Sequence, residues 1–155
     1  MATEIERKFL LRNDNWRKDV DSSVAIRQGY LAGTEKASVR VRIAGDRANI
    51  NIKSATLDVT RKEYEYEIPL NEANELLDTL CEGPLIEKTR YHVHHGSHLW
   101  EIDDFIGDNQ GLVVAEVELD DVDENYERPD WLGEEVSDDP RYYNVCLVRH
   151  PYKDW

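Results

Sequence analysis

The amino-acid sequence predicts an all-β protein with minor helices, and three observations support this fold class. Apolar and polar residues alternate with a period of two in eight segments, as expected for strands that bury one face. Turn signals rich in Gly, Asp, Asn and Ser separate several of these segments. Helical patterns are confined to three short stretches. These observations leave open whether the strands form a sandwich or a closed barrel.

The predicted strands occupy most of the chain. Val, Ile and Tyr alternate with charged residues along them, and β-branched and aromatic residues favour strands. Gly45-Asp46 and His95-Gly96-Ser97 mark tight turns between neighbouring strands. The eight strands are predicted over residues 2–11, 24–32, 37–44, 48–54, 61–68, 86–95, 98–105 and 112–120.

Three helices are predicted between or after the strands. A short helix runs from Asp14 to Val20. A second has Asn71 as its N-cap, extends from Glu72 to about Leu80 and is stopped by Gly83-Pro84. Asp139-Pro140 opens a C-terminal helix, because Pro is favoured at the first helical position.

Length and composition predict one cytoplasmic domain spanning residues 1–155. Charged residues make up 34% of the chain and the net charge is −14, which argues against duplex nucleic acid or a membrane as a partner. Cys81 and Cys146 lie far apart and are expected to be free thiols. The chain shows neither a signal-peptide pattern nor an apolar run long enough to span a bilayer.

The first charged pattern is Glu4-Ile5-Glu6-Arg7-Lys8. On a strand, Glu4, Glu6 and Lys8 share one face. A helix would instead pair Glu4 with Lys8 at i and i+4. The same period-two pattern in later segments rich in Val, Ile and Tyr favours the strand.

Charges alternate in this way on several strands, often as like charges at i and i+2. A solvated sheet face explains any one of them. If the sheet closes, however, the charged faces converge on one lumen. Guanidinium and ammonium groups suit phosphate oxygens, carboxylates suit a hard divalent cation, and a polyphosphate with its metal would satisfy both. The cations are Lys8, Arg40, Arg42, Lys53, Lys88 and Arg90, and the carboxylates are Glu4, Glu6, Glu63, Glu65, Asp103, Glu116 and Glu118.

An ordered set of motifs resembles the CYTH family of triphosphate tunnel metalloenzymes, most of all its short prokaryotic inorganic triphosphatases. The similarity extends from Glu4 to about Leu147, and the N-terminal ExExK is the family's signature. The motifs that follow in order are QGYL at 28–31, VRVR at 39–42, IK at 52–53, RKEYEYEI at 61–68, EKTRY at 87–91, WEIDDF at 100–105, AEVEL at 115–119 and DDPRYYN at 138–144.

The resemblance implies a closed eight-stranded antiparallel β-barrel, a C-terminal helix and a hydrophilic tunnel that holds a triphosphate and a metal ion. It implies Mg²⁺ or Mn²⁺ bound by Glu4, Glu6, Glu116 and Glu118. Phosphate oxygens would contact Lys8, Arg40, Arg42, Lys53, Lys88 and Arg90. Lys8, Glu63, Glu65 and Asp103 are the catalytic candidates, and which of Glu63, Glu65 and Glu67 takes the family's role stays open.

Hydrolysis of inorganic tripolyphosphate to diphosphate and phosphate is the predicted activity, since the chain is compact and has no evident base-recognition segment. Family members also include thiamine triphosphatases, nucleoside triphosphatases and class IV adenylate cyclases, and these remain alternatives. A polyphosphate-binding module without turnover is a third hypothesis. The family suggests a homodimer, of which the residues themselves give no sign. The His92–His98 tract does not fit a familiar zinc pattern and is assigned to a hairpin.

Overall fold

The strands form one antiparallel sheet that closes on itself. The structure is a computed structural model that describes residues 3–55 and 59–155. The strands are β1 (Thr3–Leu11), β2 (Ser22–Gly33), β3 (Ala37–Ala44), β4 (Arg47–Ser54), β5 (Thr60–Ile68), β6 (Glu82–His95), β7 (His98–Phe105), β8 (Val113–Leu119) and β9 (Leu132–Glu135). The sheet order is β5-β4-β3-β2-β6-β7-β8-β1, and β5 pairs with β1 to complete an eight-stranded barrel.

Strand β1 closes the barrel. One of its edges pairs with β8 from Ile5 to Leu10. The other edge is shared, since β5 pairs with its first residues and β9 with Phe9 and Leu11. Between these partners, the Lys8 carbonyl accepts a hydrogen bond from the Val136 amide at 2.8 Å. The barrel seam therefore depends on the chain after β8 as well as on β5.

All eight predicted strands are confirmed, with shifts of a few residues at some ends. Strand β6 begins at residue 82 rather than 86, so Gly83-Pro84 lies in a strand and not in a helix stop. Residue 2 of the first predicted strand lies outside the described residues. The sequence did not predict β9, a four-residue segment that pairs with the end of β1.

Glycine fits two of the predicted hairpin turns because the backbone there is left-handed. Gly45 between β3 and β4 has a φ of 63°, and Gly96 between β6 and β7 has a φ of 61°. Residues with a Cβ atom rarely adopt this conformation. These turns set the register of both hairpins.

The helices are short and one boundary was predicted wrongly. Helix α1 (Leu70–Thr79) has Pro69 as its N-cap, and the Pro69 carbonyl accepts a bond from the Ala73 amide. Asn71 therefore lies in the first turn and is not the cap. The N-terminal helix is a 3₁₀ turn at Asn15–Asp19. The C-terminal helix divides into a 3₁₀ turn capped by the Asp139 side chain and helix α2 (Asn144–Arg149).

The apolar core lies mainly outside the barrel wall. Phe9, Trp100 and Trp131 belong to a buried cluster on the outer face of β1, β7 and β8. Helix α1 packs Ala73 and Leu77 against the outer face of β3 and β4. The inner face of the sheet is consequently free to carry charge.

A third cluster joins the C-terminal segment, residues 136–149, to the barrel. Tyr142 and Leu147 of this segment pack with Phe105 and Val114 of the barrel strands. These two strand residues lie at the end of β7 and the start of β8, which meet at the same end of an antiparallel sheet. The C-terminal segment thus covers part of one barrel end. No helix among the described residues has the length and apolar character needed to cross a membrane.

Gly29 of the QGYL motif allows β2 to approach α1 and the start of β6. A Cβ atom there would lie 2.7 Å from Leu85, 2.9 Å from Cys81 and 3.2 Å from Leu77. These separations are shorter than normal van der Waals contacts. The outward side of residue 29 is therefore filled by other side chains, and its neighbour Gln28 is buried on the inward side.

Replacing Trp100 with Ala tests whether the outer cluster stabilises the barrel. Trp100 is fully buried and its ring packs edge-to-face on Phe9 and Trp131, so we expect a loss of about 3–5 kcal/mol in unfolding free energy. Urea denaturation measures this change. Tyr66→Ala on the outer face of β5, where the side chain is 58% exposed, is the control and should cost less than about 1 kcal/mol. Equal losses in the two variants would contradict this view of the core.

Candidate active site

The inward faces of the barrel strands enclose one charged cavity. Its volume is about 310 Å³. All six predicted phosphate-binding cations line it, together with all four predicted metal-binding carboxylates. Glu63 and Glu65 also line it, whereas Asp103 is buried within the wall. The period-two pattern therefore placed these charges on the correct face of each strand. The further lining residues are Tyr30, Ser38, Arg61, Glu101, Tyr143, Asn144 and Val145.

Asp103 holds two of the cations in a buried cluster. Its Oδ2 atom accepts a bond from Lys88 Nζ at 2.6 Å. Arg90 donates from Nε to Asp103 Oδ1 at 2.7 Å and from Nη2 to Oδ2 at 2.9 Å. Register explains the second contact, because Arg90 and Asp103 are cross-strand neighbours on β6 and β7. Both carboxylate oxygens are occupied, so Asp103 orients the two cations.

Burial and ion pairing act in opposite directions on the pKa values of this cluster. Burial lowers the pKa of Lys88 to about 7, although Asp103 acts in the opposite direction. Burial alone would raise the pKa of Asp103, but the attraction of Arg90 and Lys88 lowers it below its usual value. Asp103 is therefore ionised at neutral pH.

Two further lysines have acidic partners inside the cavity. Lys8 Nζ lies 3.2 Å from Glu116 Oε1, again between cross-strand neighbours. Lys53 Nζ lies 3.2 Å from Glu4 and 3.1 Å from Glu63. These pairs fix the positions of two ammonium groups in the cavity lining.

Three arginines differ from the other cations because none forms an ion pair with a described residue. Arg40 is 7% exposed and its Nε atom has no hydrogen-bond partner in residues 3–55 and 59–155. Arg42 donates from Nε to the Gln28 side chain at 2.7 Å. Arg61 lies over the ring of Tyr143, 5.0 Å from its centroid. Burial, together with repulsion from Arg40 and Arg90, lowers the pKa of Arg42 to about 9.

The carboxylates of β1 and β8 repel one another. Glu6 and Glu118 are directly opposed across the two strands, an arrangement that is unfavourable for like charges. Burial, followed by the charges of Glu116 and Glu4, raises the pKa of Glu6 to about 8. Burial, followed by repulsion from Glu4 and Glu101, also raises the pKa of Glu118. The protein alone leaves negative charge uncompensated here.

A hard divalent cation fits this group of oxygens. No three acidic, His or Cys side chains of the described part of the chain are already arranged as a metal site. Mg²⁺ nevertheless commonly uses one or two carboxylates and completes its octahedron with water and substrate phosphates. A cation at Glu4, Glu6 and Glu118 would also offset the repulsion from Glu4, which adds to burial in raising the pKa of Glu6. The donor chemistry therefore matches the predicted cofactor.

Sequence reasoning missed several lining residues. Arg61 could have been found, since it alternates with Glu63 and Glu65 along β5 and so shares their face. Asn144 and Tyr143 follow β8 by more than 20 residues, and no strand periodicity applies to them. Only the folded C-terminal segment brings them to the lumen.

The histidine tract lies at and beside the hairpin between β6 and β7. His94 Nδ1 lies 2.7 Å from Asp21, and His98 contacts Glu124. His92 Nε2 lies 3.6 Å from Glu101, which lines the cavity. These contacts connect the hairpin to neighbouring segments through carboxylates.

The chain matches the CYTH domain over residues 2–143. Two similar proteins are both named inorganic triphosphatase. The one from Acetivibrio thermocellus is 46% identical over 155 residues, covering 100% of this chain and 99% of its own. The one from Nitrosomonas europaea is 37% identical over 150 residues, covering 94% of this chain and 97% of its own.

Solved structures show the same architecture. The crystal structure of the inorganic triphosphatase NE1496 aligns with a TM-score of 0.67 and 37% identity, covering 96% of this chain and 95% of the other. The PH1012 protein from Pyrococcus horikoshii OT3 aligns with a TM-score of 0.61 over 77% of this chain and 80% of the other. At 17% identity, this second similarity concerns the fold alone.

Replacing Glu6 with Gln should stabilise the metal-free protein in a pH-dependent way. Because the pKa of Glu6 is raised from 4.5 to about 8, the native state binds this proton more tightly than the unfolded state does. The wild type therefore loses stability as the pH rises through that window, and the variant lacks this loss. We expect the variant to gain about 2 kcal/mol in unfolding free energy relative to wild type at pH 8 and almost none at pH 4.5. The value at pH 8 is reduced to allow for solvent screening by water in the lumen.

Urea denaturation in EDTA at the two pH values measures the difference. The matched control is Glu87→Gln, an exposed position on β6, which should change neither value. If the free energies of unfolding of wild type and Glu6→Gln differ by the same amount at both pH values, the folded protein does not raise the pKa of Glu6.

Proposed function

Because the chain belongs to the CYTH family, we propose that its charged lumen binds a triphosphate and that the protein is a hydrolase converting inorganic tripolyphosphate to diphosphate and phosphate. Water attacks a terminal phosphorus, a new P–O bond forms and the anhydride P–O bond to the departing diphosphate breaks. Positioning and charge stabilisation supply most of the catalysis in such phosphoryl transfers.

The observation that carries this proposal is the unequal pairing of the lumen charges. Arg40, Arg42 and Arg61 face the cavity without an acidic partner among the described residues. Guanidinium groups that are buried or half-buried in this state favour an anion that accepts several hydrogen bonds. A triphosphate offers such oxygens along a chain. We therefore assign the first contacts with substrate to these arginines, including Arg61, which was not among the residues predicted from the sequence.

The remaining cations hold positions already fixed by acids. Lys8, Lys53, Lys88 and Arg90 each have a carboxylate within 3.2 Å. We propose that they contact phosphate oxygens while keeping these partners. Fixed donors need little reorganisation when negative charge shifts to the departing diphosphate, which is the basis of electrostatic preorganisation.

We also propose that the enzyme requires a divalent cation, Mg²⁺ or Mn²⁺, held by Glu4, Glu6, Glu116 and Glu118. When bound, the ion neutralises phosphate oxygens and so lowers the barrier to attack. Glu116 is the least free of the four, because it already pairs with Lys8 and Arg90. Glu6 and Glu118 carry the uncompensated charge described above, which makes them the strongest candidates.

The three other acids have different proposed roles. Asp103 is fully buried and both its oxygens are occupied, so we propose that it positions Lys88 and Arg90. Glu63 and Glu65 reach the lumen and are proposed to orient the attacking water. Glu65 accepts a bond from Asn51 at 2.9 Å, which fixes its carboxylate. Glu67 instead pairs with Arg47 and does not line the cavity, which favours Glu63 and Glu65 over it.

The lining supports an inorganic substrate over an organic one. Among the described lining residues, Tyr30, Tyr143 and Val145 are the ones with largely apolar side chains, and Tyr143 already lies beneath Arg61 and Lys8. A purine or thiazolium ring needs a free aromatic or apolar face. Tripolyphosphate needs none.

Phosphate release from tripolyphosphate, ATP and thiamine triphosphate tests the proposal directly. We expect tripolyphosphate to be hydrolysed with a kcat/KM at least about tenfold above the organic substrates, and activity to disappear in EDTA. Mg²⁺ and Mn²⁺ are compared in parallel. Cyclic AMP formed from ATP would identify a cyclase instead. Tight binding of tripolyphosphate without turnover under either metal would identify a binding module and overturn the proposal.

Thermal unfolding tests the assignment of the unpaired arginines. Tripolyphosphate with Mg²⁺ should raise the melting temperature by several degrees, because a ligand at about 100 times its dissociation constant adds about 2.7 kcal/mol. Arg40→Ala should remove most of this rise. Arg7→Ala is the control, since Arg7 points away from the lumen and binds Glu135 and the Val122 carbonyl. Each rise is measured against the same variant without ligand, and equal losses in both variants would refute the assignment.

A further inference from the structure

An uncharged residue of the C-terminal segment contacts the cationic wall of the lumen. Asn144 is the first residue of α2 and lines the cavity. Its side-chain oxygen accepts one hydrogen bond from Lys88 Nζ at 3.1 Å and another from Gln28 Nε2 at 2.9 Å. Two donors from different strands therefore share one acceptor on the C-terminal segment.

Gln28 extends this contact to a second cation. The residue is fully buried, and its Oε1 atom accepts the bond from Arg42 Nε at 2.7 Å. Its amide thus uses the nitrogen for Asn144 and the oxygen for Arg42. The hydrogen bonds run without interruption from Lys88 on β6, through Asn144 and Gln28, to Arg42 on β3.

The backbone keeps Gln28 at this position. Gln28 and Arg42 are cross-strand neighbours on β2 and β3. The next residue, Gly29, has no room for a Cβ atom against α1 and the start of β6, so side chains on the outer face pack directly against the backbone of β2. Side-chain bonds from a fixed backbone orient their partner at a low entropic cost.

Arg42 depends on this bond more than the other cations depend on theirs. Lys88 also has Asp103 as a partner, whereas the bond to Gln28 is the one hydrogen bond that the Arg42 side chain makes to any described residue. The bond occupies Nε and leaves both terminal guanidinium nitrogens for another acceptor. A guanidinium fixed in this way loses less conformational freedom when it binds an oxyanion.

We propose that Gln28 and Asn144 are positioning residues that hold Arg42 and Lys88 for binding to the triphosphate. The start of α2 then forms part of the substrate site, although it contributes no charge to it. This inference rests on the proposed function, since it names the residues that prepare the same lumen for its substrate.

Two variants remove the bonds with little change of shape. Gln28→Met retains the buried volume and loses both bonds, and Asn144→Ala acts at a half-buried position where folding is less sensitive. We expect each to raise KM for tripolyphosphate about tenfold while kcat changes less than about threefold, because the contacts serve binding in ground and transition states alike. Arg149→Ala, an exposed position on the same helix, should leave both constants unchanged.

A second background separates positioning from a general loss of structure. In Arg42→Ala protein, Gln28→Met should change KM by less than about twofold, since the residue through which it acts is gone. An unchanged KM in both single variants, or an equal effect of Gln28→Met in the two backgrounds, would overturn the inference.

Calorimetric titration with tripolyphosphate in EDTA measures binding without turnover. It therefore tests the positioning role separately from the proposed hydrolase activity. Weaker binding of tripolyphosphate by Gln28→Met than by the wild type would support the positioning role. This holds even if the wild type shows no turnover, a result that would refute only the hydrolase proposal. Equal affinities of wild type and both single variants would refute the positioning role alone. If the wild type binds tripolyphosphate neither in EDTA nor with Mg²⁺, both proposals are wrong.

Discussion

The ion cluster of Lys88, Arg90 and Asp103 is the interaction on which the lumen depends. An isolated buried charge costs several kcal/mol, so charges inside a protein persist when they are paired and hydrogen-bonded. Asp103 satisfies both cations with bonds of 2.6 to 2.9 Å. Cross-strand register brings these groups together, and an antiparallel barrel repeats such pairings around its axis. The sheet can therefore carry a charged interior without losing its shape.

This interior requires that the apolar core lie elsewhere. Phe9, Trp100 and Trp131 pack on the outer face of the wall, and α1 covers another part of that face. The arrangement reverses that of a barrel filled by apolar side chains. Stability and function consequently occupy opposite faces over much of the wall. Phe105 and Val114 are the exception, since they share a face with Asp103 and Glu116 but belong to the apolar cluster at the barrel end that the C-terminal segment covers. A substitution that alters the lumen can change binding while the outer clusters still hold the barrel together.

The lumen cations fall into two groups, those held by an acidic partner and those without one. The lysines and Arg90 are fixed by acids, whereas Arg40, Arg42 and Arg61 have no acidic partner among the described residues. Repulsion among the carboxylates of β1 and β8 adds a place for a cation. An anionic substrate would compensate the unpaired arginines, and a metal ion would compensate the carboxylates. The C-terminal segment adds neutral contacts to this site, since the Asn144 side chain accepts hydrogen bonds from Lys88 and Gln28.

The sequence by itself determined the strands and the direction in which their charges point. Period-two alternation fixes the face of every residue in a strand, so the alternation alone assigns Glu4, Glu6, Arg40 and Lys88 to the charged faces of their strands. The alternation left closure of the sheet open, and the resemblance to the CYTH family predicted it correctly, whereas the partners of each charge and the contribution of Asn144 were decided by the tertiary structure. Those features depend on which strands become neighbours and on where a chain without periodicity returns to the barrel. Such long-range contacts leave no local pattern, because the residues that form them lie far apart in the sequence. Gln28 and Asn144, for example, are separated by more than 100 positions.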